Sequence, residues 1–314
     1  MLSMLIQAQR SNNYLVTVAI GSDHFDCWKK YAYPFWLNYC QKHGLGLLAL
    51  TESLFDSEDV NWKKPNWQKL LLGSEITKNF SFVENACFLD TDILISPNAP
   101  NIFDSFDGHS YGLISKVKNL PMSLDVVTRK FVFLRHHFYD QNYPLDSAAF
   151  MTAEQQYNYS GLTPFDDLAC TGVFLFSPKE VAEEMAGWYF KYDKDYISIT
   201  GGEQVHLNWE ILNSKKVQWL PYEFQAIWVY EMAWKYPFLY YGHNKDNDLI
   251  RNCISASLFS NHFLHFAGSW YESDMWKIDG LLGMPISSDL FQRFESYCAE
   301  PVTGTPVGPI KPSR

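Results

Sequence analysis

The chain has no Cys-x-x-Cys pair. Its six cysteines (Cys27, Cys40, Cys87, Cys170, Cys253, Cys298) are scattered over 314 residues. That spacing excludes a zinc knuckle and the dense bridging of a small disulfide scaffold, so buried reduced thiols are expected. Long apolar runs are missing too, and none could span a bilayer. Residues 1–13 hold too short an apolar stretch for a secretory signal. The expectation is a soluble, cytoplasmic chain with no transmembrane segment, peripheral membrane contact being left open. Asn79-Phe80-Ser81 and Asn158-Tyr159-Ser160 match the N-glycosylation pattern, which means little without an export signal. Basic charge is scarce: 25 Lys and Arg against 35 Asp and Glu leave a net charge of −10. A nucleic-acid partner needs a basic stripe and is excluded on this ground, although local basic groups suffice for a small phosphate ligand.

What the chain has in quantity is apolar and aromatic. Hydrophobic residues make up 47% and charged ones 19%, enough for a sizeable core in one large domain or two small ones. Aromatics reach 17%, with 11 Trp, 19 Tyr and 23 Phe. Exposed rings are good platforms for the apolar faces of sugars, which leans towards carbohydrate. A core thickened by rings accounts for the number equally well.

One stretch stands out, Cys87-Phe88-Leu89-Asp90-Thr91-Asp92-Ile93-Leu94-Ile95. A strand buried on both faces reads as a continuous apolar run. Two carboxylates interrupt this one, and they are costly to bury unless paired. On a strand, positions i and i+2 point to one side, so Asp90 and Asp92 could converge on a divalent cation with hard oxygen ligands. The plainer reading is a strand that ends at Asp90, with Asp92 in a turn.

Around this pair the chain alternates strand and helix. Residues 14–20 are β-branched and apolar and run into Gly21-Ser22-Asp23, a first strand and its turn. Residues 25–43 predict one helix, stopped by Gly44 and Gly46, and residues 45–50 a second strand. Pro65-Asn66-Trp67-Gln68-Lys69-Leu70-Leu71 opens a second helix, with proline suited to its first turn. Residues 86–89 form the third strand. The fold class expected is α/β, with an open, mostly parallel central sheet flanked by helices. Ligands of such sheets bind beyond the carboxyl ends of the strands, where Gly21, Ser22, Asp23, Asp90 and Asp92 all fall. Residues 116–165 predict helices and loops over the sheet edge, and 168–176 another strand. Residues 179–192 and 203–212 are helical, 240–258 polar and mobile, and 262–267 apolar. The tail 301–314 is rich in Pro and Gly and is expected to be disordered.

Four segments in order, Ala19-Ile20-Gly21-Ser22, Trp67-Gln68-Lys69-Leu70, Asp90-Thr91-Asp92 and His265-Phe266-Ala267-Gly268, resemble glycosyltransferases of the GT-A fold. The resemblance is closest to the retaining branch that includes glycogenin and bacterial galactosyltransferases. Between them, Cys170-Thr171-Gly172-Val173-Phe174-Leu175-Phe176 and Gly202-Glu203-Gln204-Val205-His206-Leu207-Asn208 are similar to that family's Asn-x-Gly strand and its Asp-Gln-x-x-Leu-Asn segment. The likeness spans roughly residues 14–277. Cys170 stands where Asn is usual, and Glu203 where Asp is. Ser269-Trp270-Tyr271 follows the glycine where Lys-Pro-Trp is frequent, leaving Lys277 as a substitute phosphate-facing lysine.

The resemblance implies a single Rossmann-like GT-A domain over residues 1–300. Its nucleotide-binding half would be 14–115 and its acceptor-side half 116–300. By the same resemblance, Asp90, Asp92 and His265 hold Mn2+ or Mg2+. Ala19, Ile20 and Gly21 seat the base and ribose, and Lys69, Asp90, Thr91 and Gly268 contact the nucleotide-sugar. Glu203 and Gln204 lie by the anomeric carbon. The donor implied is UDP-linked, with GDP as the alternative, and the acceptor is a glycan, a lipid-linked sugar or a protein. Retention is favoured; an inverting relative would need a base, for which Asp166 and Asp167 are candidates. Each residue also has a plainer reading. Lys69 could be a solvated helix lysine, His265 a core histidine with His262 as its competitor, and Glu203 a first-turn acid favoured by the helix dipole. Two rival functions stay open: a haloacid-dehalogenase-like phosphatase, which also places Asp-x-Asp after a strand, and a non-catalytic sugar-binding relative.

Overall fold

A computed structural model of the chain describes residues 1–138, 147–192, 202–214, 216–240, 246–268 and 271–284. The tail expected to be disordered, Cys298, Ser269 and Trp270 lie outside the described residues, as do residues 241–245 of the stretch expected to be mobile.

The fold is α/β. Its strands are β1 (Leu2–Ile6), β2 (Asn13–Val18), β3 (Gly46–Leu50), β4 (Asn85–Leu89), β5 (Ile93–Ile95), β6 (Tyr111–Ser115), β7 (Ala169–Phe176), β8 (Val217–Trp219), β9 (Ala226–Ile227) and β10 (Phe263–His265). Its α-helices are α1 (Ser22–Tyr31), α2 (Tyr33–His43), α3 (Leu72–Asn79), α4 (Leu124–Phe138), α5 (Ala153–Tyr159), α6 (Pro178–Lys191), α7 (Gln204–Ser214), α8 (Trp228–Lys235) and α9 (Asn247–Ser260). Seven strands build the main sheet in the order β1-β3-β2-β4-β7-β6-β8, and a three-stranded sheet runs β5-β10-β9. Only β1 and β7 run against the other five strands of the main sheet, so it is mostly parallel, as the alternation of elements predicts.

Strand β4 sits in the middle of this sheet, paired with β2 on one side and β7 on the other. Its side chains alternate between two cores. Cys87 and Leu89 join Trp28 and Trp36 of α1 and α2. Ala86 and Phe88 join Leu72, Ile76, Val181 and Met185 of α3 and α6. Burial on both faces is why the segment reads as an unbroken apolar run.

The structure corrects several expectations. Residues 25–43 form two helices rather than one. Pro34 lacks the N–H that a continuous helix needs, and its ring would crowd the carbonyl four residues back, so α2 starts afresh with Pro34 in its first turn. Gly44 does stop α2, at a φ of 68°, but Gly46 instead opens β3. A Cβ there would lie 1.9 Å from the Tyr14 ring, so the close packing of that ring demands glycine. Residues 247–258 of the stretch expected to be mobile belong to α9. Asp246 caps it by accepting from Asp248 N and Leu249 N, and Leu249, Ile250, Cys253, Ile254 and Leu258 are buried at helical spacing. Residues 2–6, read only as too short for a signal, pair antiparallel with β3 as an edge strand.

Helix α7 buries His206 at 1% exposure, its ring against Tyr192 at 4.4 Å and Trp67 at 5.9 Å between centroids. Burial lowers its pKa from 6.5 to about 4. The folded protein then binds fewer protons than the unfolded chain, so this contribution is complete above pH 6.5 and is lost as pH falls towards 4. Urea unfolding at pH values across that window should show a decline of up to about 3 kcal/mol that flattens in His206→Gln. An unchanged slope in the variant would show that other groups carry the acid sensitivity.

Candidate active site

The Asp-x-Asp lies where the chain passes from one sheet to the other. β4 ends at Leu89 and β5 begins at Ile93, so Asp90-Thr91-Asp92 is a turn and the two acids do not share a strand face. The i, i+2 argument for a strand therefore fails, yet the acids still converge. Backbone bonds hold them: Asp90 N donates to Gly172 O of β7 at 2.8 Å, and Phe266 N donates to Asp92 O at 3.1 Å. His265 ends β10, paired across to Ile93 of β5. One ligand atom each from Asp90, Asp92 and His265 lies within 4.8 Å of the others.

The geometry suits a cation. His265 Nε2 stands 3.2 Å from Asp92 Oδ1 and 3.8 Å from Asp90 Oδ2. Even so, Asp92 Oδ1 is buried without a hydrogen-bond partner among the described residues, so the approach lacks the alignment of a true hydrogen bond. Gly172 makes room for the cluster. A Cβ on it would meet His265 Cε1 at 2.1 Å and Asp90 Oδ2 at 2.8 Å. Two carboxylates and an imidazole, with one acceptor orphaned, fit a divalent ion such as Mn2+ or Mg2+.

Lys69 lies beside this group on the 3-10 helix Pro65–Leu71. It is 2% exposed and far from the solvated lysine of the plainer reading. Its Nζ pairs with Glu203 at 2.8 Å and with Asp90 at 3.4 Å, and donates to Thr171 O at 3.2 Å. Glu203, just before α7, also accepts from Thr171 Oγ1 at 2.8 Å. Asp90, Asp92 and Glu203 thus crowd around one lysine and one histidine.

Titration follows from that crowding. Burial opposes the charge on Lys69, but Asp90 and Glu203 outweigh it and hold the ammonium above its ordinary range. Burial, then the nearby charges of Asp92 and Glu203, pushes Asp90 up. Burial also acts to raise Asp92, yet His265 holds that carboxyl below its usual range. His265 in turn is held well above its ordinary value, because Asp92 and Cys170 overcome the effect of burial. Cys170 is lowered by His265 against the pull of burial.

Two cavities meet at the acids. The larger, about 590 Å³, is lined by Ile20, Lys69, Thr91, Trp276 and Lys277 among others. The smaller, about 220 Å³, is lined by Gly172, Glu203, Gln204, Tyr230 and His265 among others. Asn66, Lys69, Asp90, Asp92 and Gly268 line both. Some candidates fall elsewhere. Ala19 is buried in the core, its N–H donating to Leu50 O, and neither it nor Gly21 lines a cavity. His262 packs on the Phe224 ring at 4.8 Å, away from the site. The two candidate bases are also outside both cavities: Asp167 accepts from Ser115 Oγ, and Asp166 pairs with Lys118. Sequence reasoning missed Gln225, whose amide touches the His265 ring at 3.1 Å. No motif or periodicity marks it.

No protein-family model matches the chain, and no curated protein does. Among solved structures, a glycosyltransferase involved in the glycosylation of the major capsid of PBCV-1 is similar with a TM-score of 0.49 and 12% identity, over 84% of this chain and 97% of that one. The WbbM bifunctional glycosyltransferase in its apo form gives 0.45 and 13%, over 92% of this chain and 53% of that one. Both neighbours are glycosyltransferases. At this distance they say nothing about donor, metal or acceptor, and the chemistry rests on the residues of the site.

The room left by Gly172 is open to a direct test. Gly172→Ala should displace His265 and weaken Mn2+ binding at least about tenfold, the scale on which a disturbed ligand shell acts. Calorimetry reads the affinity and circular dichroism checks the fold. An affinity equal to wild type would show that the ring does not ligate.

Proposed function

We propose that this protein is a metal-dependent glycosyltransferase that moves a sugar from a nucleotide-sugar, UDP-linked, to a carbohydrate, lipid-linked or protein acceptor with retention. The observation that carries the reading is the convergence of Asp90, Asp92 and His265 where two cavities meet, the two aspartates lining both and the histidine the smaller. A two-substrate transfer needs such an arrangement, with a nucleotide on one side of a charge centre and a sugar and its acceptor on the other. In this reading residues 1–300 form one domain. Lys69, Asp90 and Asp92 come from its nucleotide-binding half (14–115), and Glu203, Gln204 and His265 from its acceptor-side half (116–300).

Asp90, Asp92 and His265 would hold Mn2+ or Mg2+, which when bound supplies Lewis-acid neutralisation of the departing diphosphate. The chain's own residues do the rest. The larger cavity, lined by Ile20 and Thr91, takes the nucleotide, and Lys277 of the same lining, paired with Asp274 in the free protein, would turn to phosphate. Gly268 lets the backbone approach the donor. The smaller cavity takes the transferred sugar, with the Gln204 amide placed to bind its hydroxyls. Glu203 is tied through one oxygen to both Lys69 and Thr171, so it fixes the lysine in place and balances its charge. Among the described residues, no carboxylate outside the metal group and Glu203 lines the smaller cavity. This disfavours a general base for inversion and supports attack by the acceptor on the leaving-group side.

Calorimetric titration of UDP with and without Mn2+ tests the reading. Binding should require the metal and disappear in Asp92→Ala. If neither UDP nor GDP binds under either condition, the transferase reading is wrong. Turnover of a phosphomonoester instead would put the phosphatase in its place.

A further inference from the structure

Gln225 closes the 3-10 turn Tyr222–Gln225 immediately before β9. It is 2% exposed. Its amide nitrogen lies 3.1 Å from His265 Nδ1, the ring nitrogen not turned to the aspartates. Its amide oxygen is buried with no hydrogen-bond partner among the described residues. Cys170 Sγ lies 3.6 Å from the same Nδ1. The arrangement is held by backbone: β9 pairs with β10, with Ile227 opposite His265, so amide and ring are positioned by the same strand pair.

We infer that Gln225, with Cys170 beside it, is a positioning residue that holds His265 in the tautomer whose Nε2 lone pair faces Asp90 and Asp92. The inference rests on the metal-site reading of those three residues and extends it to the groups behind the ring. A neutral imidazole that offers Nε2 to a cation carries its proton on Nδ1. That N–H is buried, and leaving it unpaired is costly. A half-turn of the Gln225 amide exchanges its two nearly isosteric ends and puts the orphaned oxygen where the N–H needs an acceptor. Among the described residues nothing pairs with the oxygen as it stands, so the ring nitrogen is the contact that decides which way the amide turns. Cys170 sulfur is a weak second acceptor at the same nitrogen.

Mn2+ titration of the intact chain, comparing wild type, Gln225→Met and Gln225→Glu, tests the inference. The methionine variant keeps the volume but removes the acceptor, and its affinity should fall roughly 10- to 100-fold. The glutamate variant can only accept, so it should bind as tightly as wild type or more tightly. A purely packing role predicts the opposite order, because methionine is well tolerated in a core and a buried carboxylate is not. Equal affinities for all three, or a weaker glutamate variant, overturn the inference. A second readout needs no variant: nitrogen-15 correlation spectra of the Mg2+-saturated wild type should place the His265 proton on Nδ1, and a proton on Nε2 overturns it. Wild type that binds no Mn2+ defeats the metal-site reading itself. Wild-type binding matched by the methionine variant defeats only the role of Gln225.

Discussion

The passage of the chain from the large sheet to the small one, across residues 90–92, is the constraint on which the rest of this site depends. β4 must be apolar because both its faces are buried, and β5 must be apolar because it packs beneath α2, where Trp36 Nε1 donates to Ile93 O. Polar side chains fit only in the turn between them. That turn is pinned on one side to β7 through Gly172 and on the other to the end of β10 through Phe266. Two carboxylates are therefore held at a point where strands from both sheets end, with a histidine from the second sheet facing them.

Charge explains why the neighbouring residues are what they are. Three carboxylates gather within a few residues' reach of a buried ammonium, and Lys69 answers only part of that charge through Glu203 and Asp90. Buried carboxylates without partners are unfavourable, and a divalent ion that took the place of the proton on His265 would offset the negative charge that Lys69 leaves. Gly172, Cys170 and Gln225 belong to the same problem. The first leaves space for the ring and the carboxylate to meet, and the other two meet the far side of the ring. Lys69, Asp90 and Asp92 line both cavities, so a ligand in either one feels those three charges.

Much of this was legible beforehand. The apolar run of β4, the first strand with its glycine turn, the β7 segment and the helical spacing of 179–192 all follow from local pattern, because burial on one or two faces leaves its period in the residues. Asp90 and Asp92 were picked out by their place in an apolar run, and His265 by the resemblance to the GT-A motif series. The strand argument for the convergence of the two aspartates was wrong, and the plainer reading of a strand ending before a turn was right about the backbone. The break at Pro34 and the helix behind Asp246 were both readable from cap and proline chemistry. The short strands β5, β9 and β10 left no period, being only two or three residues long.

The residue order by itself determined the α/β class, the apolar strands and the position of the acid pair Asp90 and Asp92, because these follow from hydrophobic period and side-chain chemistry within a few residues. Tertiary structure alone decided which of those groups meet. Lys69 and Glu203 are 134 positions apart in the numbering, yet form one ion pair. Gln225 acquires a role only because β9 lies beside β10. His262 and His265 look alike in the sequence, and the direction of one short strand sends only the second to the aspartates. Contacts between distant segments are set by strand pairing and packing, and no local pattern in the chain records them.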